Sequence, residues 1–180
     1  MNVVLKRMFK GLLKGSPFFL ALTLVLEVHA APLDAGSKRI TLHAKDGSRV
    51  EIGQVVFAAP ATDGRVSFTL KLDHAPFKDY FLSMREFKCL DGQAEILCHV
   101  PYPYANPQHV AAGDLAWLEH ALMFMFKKPS EFGAKLWNGV YFRLKATERG
   151  FVGEPQAIDL NVIGAPPARL DVPPFKPALR

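Results

Sequence analysis

The chain has 180 residues and a formal charge of +5, yet Lys6, Arg7, Lys10 and Lys14 against Glu27 account for +3 of it, so residues 31–180 carry only +2. No basic run remains there, which leaves nucleic-acid binding without an electrostatic footprint. The two cysteines are too few for a cysteine-ligated metal site.

Residues 1–30 have the layout of a cleaved signal peptide: a basic start, an apolar core from Pro17 to Val28, and Val28 and Ala30 at −3 and −1 of a cleavage site after Ala30. The apolar run is short of the roughly 20 residues that span a bilayer, so no stable membrane span is expected once the leader is removed. The remaining 150 residues suffice for one ordinary domain. We assign 31–164 to that domain and 165–180, with Pro166, Pro167, Pro173, Pro174 and Pro177, to a proline-rich tail that cannot enter a central strand. Two cysteines in an exported chain argue for one disulfide, Cys89–Cys98.

In the domain, Ile40, Leu42 and Ala44 alternate with polar residues, and Val50 and Ile52 resume the alternation. A two-residue turn at Asp46-Gly47 would set the apolar faces out of phase. A three-residue loop, Lys45 to Gly47, instead puts Leu42 opposite Val50 and Ile40 opposite Ile52. Val66, Phe68, Leu70 and Leu72 form the clearest strand. Asp114 opens a mostly buried helix over 114–127, with Leu115, Leu118, Leu122 and Met125 on one face and a narrow solvent stripe of Glu119, His120 and Lys127. Strands are predicted at 140–146, before a turn at Glu148-Arg149-Gly150, and at 158–162. The sum is an α+β fold of six to seven mainly antiparallel strands, a curved sheet or small open barrel packed on one buried helix.

The segment Phe77 to Tyr104 holds both cysteines and reads as a clamped hairpin that leaves into Pro101-Tyr102-Pro103-Tyr104. Close side-chain approach favours a non-hydrogen-bonded pair for Cys89 and Cys98. Residues 99, 101 and 103 then aim their N–H positions at the partner strand, where Pro101 and Pro103 have none. Pairing should end near His99 and Lys88. Arg85, Tyr102 and Tyr104, with His99 beside them, become the candidate ligand- or partner-binding surface; tyrosines beside prolines also commonly plug the end of a sheet.

Catalytic motifs are absent. His74, His99, His109 and His120 show no metal-ligand spacing, and Ser83 and Ser130 lie in no nucleophile motif. Phosphate loops and dinucleotide fingerprints are missing too, so no catalytic residue, metal or cofactor is assigned.

The strings Phe81-Leu-Ser-Met-Arg-Glu-Phe-Lys-Cys89, Cys98-His-Val-Pro-Tyr-Pro-Tyr104 and Trp137-Asn-Gly-Val-Tyr-Phe-Arg-Leu144 resemble those of an uncharacterised family of small exported proteobacterial proteins, over roughly residues 77–163. The resemblance implies a Gram-negative, periplasmic or secreted setting and supplies no activity and no site residues. The first functional expectation is a non-enzymatic interaction module for an unknown protein or small apolar ligand. The second is a small hydrolase using His99 or His120 with a carboxylate. The third is a carrier of an apolar ligand beneath the 114–127 helix, whose Met123-Phe124-Met125-Phe126 run suits a pocket lining as well as a core.

Overall fold

The computed structural model describes residues 33–92, 94–163 and 165–173 in full and residues 2–5 as backbone. In chain order the strands are β1 (Asn2–Leu5), β2 (Gly36–His43), β3 (Arg49–Phe57), β4 (Val66–Leu72), β5 (Lys78–Leu82), β6 (Arg85–Asp91), β7 (Ile96–His99) and β8 (His109–Val110). Helix α1 (Ala116–Ala121), β9 (Phe124–Lys127), β10 (Gly139–Thr147), β11 (Gly150–Ile158) and a 3₁₀ turn, Leu160–Ile163, complete the fold.

Two antiparallel sheets result. One holds β2, β3, β4 and β8, and the other β5, β6, β7, β9, β10 and β11, with β1 lying parallel between β2 and β11. The outermost strands, β5 and β8, do not pair with each other, so no barrel closes. The architecture is mainly β with one short helix, rather than the expected α+β arrangement.

The first hairpin keeps the expected loop. Ala44 donates to the Ser48 carbonyl at 2.9 Å, Gly47 takes a φ of 86°, and Leu42 faces Val50. The register then slips: Ile40 pairs with Gly53 rather than Ile52, and Ile52 is the extra residue of a bulge. The bulge lets Ile40 and Ile52 both be fully buried. Glycine is required at 53, because a Cβ there would stand 2.2 Å from the Lys71 carbonyl oxygen.

Three expectations fail in the second sheet. The 114–127 helix ends at Ala121, and Phe124–Lys127 is a strand between β7 and β10. An apolar run buried on both faces has no period to separate helix from strand, and the Phe-Met-Phe run is as content in a central strand. Two members of the expected solvent stripe, His120 and Lys127, are buried, and the Lys127 ammonium donates to the Glu131 carbonyl. The last strand begins at Gly150, directly after a two-residue turn, and ends where the sequence places its start; residues 160–163 are the 3₁₀ turn. Pro155 lies opposite Phe142, beyond the stretch of β11 that β1 covers.

The core joins both sheets. Phe57 of β3 and Phe151 of β11 meet at 5.8 Å between ring centroids, and α1 packs against β8 and β10. Leu118, Leu122, Met123, Phe124 and Met125 are wholly excluded from solvent, so the underside of the helix is packed side chain. The tail residues 165–173 contain no strand, and 174–180 lie outside the described residues.

Candidate functional site

Cys89 and Cys98 form the disulfide, directly opposite each other on β6 and β7 with Cα atoms 3.9 Å apart. Gly92 donates to Glu95. Counting back along the alternating ladder makes 90–97 a hydrogen-bonded pair and 89–98 a non-hydrogen-bonded one, where side chains approach most closely. Pairing with β6 stops there. Val100 and Tyr102 turn their N–H groups to the carbonyls of Met123 and His120, at 2.9 and 3.2 Å. The prolines at 101 and 103 alternate with these donors, so the segment leaves β6 without stranding a backbone N–H.

The departing tyrosines pack inward. Tyr102 is 7% exposed, with its ring 5.8 Å from Trp117, 5.7 Å from His120 and 5.7 Å from Tyr104. Its hydroxyl is buried with no hydrogen-bond partner among the described residues, and burial raises its pKa. Asn106 donates to the Trp117 carbonyl at 3.0 Å and ties the segment to α1. Tyr104 is half-buried. His99 is half-buried against Phe124, with Nε2 2.9 Å from the Ala121 carbonyl oxygen, and burial lowers its pKa. Arg85 is exposed at the start of β6, paired with Leu82 of β5. Of the four sequence-chosen residues, Tyr102 is buried, Tyr104 and His99 are half-buried, and Arg85 is exposed beside the β5–β6 turn.

For the acid–base reading, His99 and His120 each set one ring nitrogen against a carbonyl: His120 Nδ1 lies 2.6 Å from the Ala116 oxygen. The half-buried Glu119 accepts from the Leu144 amide at 2.7 Å, on the margin of β10 that β9 leaves uncovered. No group of three or more His, Cys, Asp or Glu converges among the described residues. A cleft of about 150 Å³ is lined by Arg65, His109, Asp114, Trp117, Asp171 and Pro173, with the tail as one wall.

Sequence reasoning missed the tip of the β5–β6 hairpin. Its two turn residues, Ser83 and Met84, both take left-handed φ values, 50° and 66°, the conformation a two-residue hairpin demands. That turn points Met84 out at 88% exposure, beside Phe81 at 72%. Ser83 Oγ accepts from the Ala134 amide at 2.8 Å, which draws in the loop carrying Phe132 at 95% and Trp137 at 57% exposure. Lys135 covers the Trp137 ring at 4.9 Å. Phe81 could have been found by phase: Tyr80 and Leu82 face inward, so the residue between them faces out.

Comparison of the chain with protein-family models, with curated proteins and with solved structures returns no match.

Proposed function

We propose that the chain is an exported, non-enzymatic interaction module that engages a partner protein through the rim formed by Phe81, Met84, Phe132 and Trp137. The observation that carries this is the exposure of four large apolar side chains on two segments tied together by the Ser83–Ala134 hydrogen bond. Single exposed apolar residues are ordinary, whereas a group of Phe, Met and Trp beside an arginine has the composition of an interface centre. Arg85, the adjoining strand residue, is the sequence-chosen site residue that this reading retains.

A photo-reactive residue at Phe132, in the chain exported by a Gram-negative host, should give a discrete cross-linked partner. The same residue at exposed Lys71 should not, and Phe81→Ser with Trp137→Ser should abolish the adduct. Equal labelling from both positions would remove the reading.

A further inference from the structure

A second feature, independent of the rim, lies at the seam between the sheets. Strand β1 pairs in parallel on both sides: Val3 with Ile40 and Phe151, Val4 with Thr41 and Val152, Leu5 with Leu42 and Gly153. Among the described residues it is the strand that joins the two sheets. It also lies upstream of Ala30, within the segment that we read from its sequence as a cleaved leader.

We propose that export empties this position, and that the mature protein uses the seam to bind an extended, proline-free apolar segment of another polypeptide, parallel to β2 and β11. Without β1, the facing margins of Arg39–Leu42 and Gly150–Gly153 lose their ladder partners. Two strand spacings, about 9–10 Å, then separate β2 from β11, too far for direct pairing. Closing the seam would force repacking of Phe57 and Phe151, whose rings already touch across the two sheets at 5.8 Å. Open strand margins recruit strands, and a slot with donors and acceptors on both walls recruits more firmly than a single edge. The segment seated there, Asn-Val-Val-Leu, defines the occupant's chemistry: extended, with adjacent β-branched residues. Pro155 bounds the slot on β11, because it has no N–H to offer an incoming strand.

The test uses the full chain, made without export so that the leader stays on, and oxidised in vitro. Successive strand residues present their N–H groups to opposite neighbours, so Val3→Pro with Val4→Pro removes a donor from each side. Amide exchange at residues 39–42 and 150–153 facing the seam should rise at least about tenfold in this variant. Added peptide of residues 1–7 should restore protection, and the same peptide with both prolines should not. Unchanged exchange, or equal rescue by the proline peptide, overturns the proposal. If the variant does not fold, the exported chain should bind the fluorescent 1–7 peptide in an anisotropy titration and ignore the proline form; no binding overturns it. The exported chain's intact mass must lack residues 2–5, and a chain that keeps them overturns it as well.

Discussion

Ser83 and Ala134 stand 51 residues apart in sequence and are joined by a 2.8 Å hydrogen bond from the Ala134 amide to the Ser83 hydroxyl. The bond exists because a two-residue turn without glycine lifts the Ser83 side chain toward the 131–137 loop, where a Cβ on Gly133 would come within 2.9 Å of the same oxygen. Ser83→Ala should lower unfolding free energy by about 0.5–1.5 kcal/mol. Its more specific effect is local: the Ala134 amide should exchange faster while the Cys89–Cys98 ladder is unaffected. Equal loss of protection in both regions would mean that the bond supports the whole fold and not the rim.

Tyr102 separates a structural role from a binding one. Its ring fills the space between Trp117, His120 and Tyr104, so Tyr102→Ala should cost about 3–5 kcal/mol, as large core truncations do. Its buried hydroxyl lacks a partner among the described residues, so Tyr102→Phe should raise stability by about 1 kcal/mol. Urea unfolding of both variants checks this. A destabilised Phe variant would show that the hydroxyl is satisfied in solution.

What could be read from the sequence follows from where local chemistry alone decides. The Lys45–Gly47 loop was legible because a glycine supplied the left-handed position and the alternation fixed the phase. The end of pairing with β6, at Cys89–Cys98 and one residue short of the expected His99 and Lys88, was legible because prolines remove donors at known parity. The Ser83–Met84 turn was not, since tertiary contacts hold two ordinary residues at positive φ. Nor was the strand character of Phe124–Lys127, which depends on β7 and β10 lying to either side. Strand β11 was hidden by Gly153 and Pro155, tolerated where a neighbour is absent or unusual. The rim could not be inferred because exposure is a property of the assembled sheets, although the phase of Phe81 pointed to it.

The disulfide closes a nine-residue separation between β6 and β7. Replacing both cysteines, Cys89→Ala with Cys98→Ala, should lower stability by roughly 2.5–3 kcal/mol on chain-entropy grounds. Both sulfurs are fully buried, so the loss includes packing, and mild reductant should act only once the hairpin opens. Rapid thiol labelling of the folded chain under reducing conditions would contradict that order of events.

Glu119 links the helix to the open margin of β10 and should leave a signature in the pH dependence of stability. Burial holds its carboxyl above the ordinary value of 4.5, opposed by the Leu144 amide that donates to it and by nearby Arg143. A carboxyl with a raised folded-state pKa binds its proton more tightly when folded. Its stabilising contribution is therefore complete below pH 4.5 and is lost as pH rises through the folded value. Glu119→Gln keeps an oxygen for the Leu144 amide and cannot ionise. The stability of this variant relative to the native chain should therefore climb from about pH 4.5 and level off above the folded-state pKa. Glu119→Ala, which strands the Leu144 N–H, should be destabilised by about 1–3 kcal/mol throughout. Urea midpoints at a series of pH values from about 4 to 8 measure both. A Gln-minus-Glu difference that stays flat across that range would mean that water reaches the carboxylate and that folding leaves its pKa unshifted.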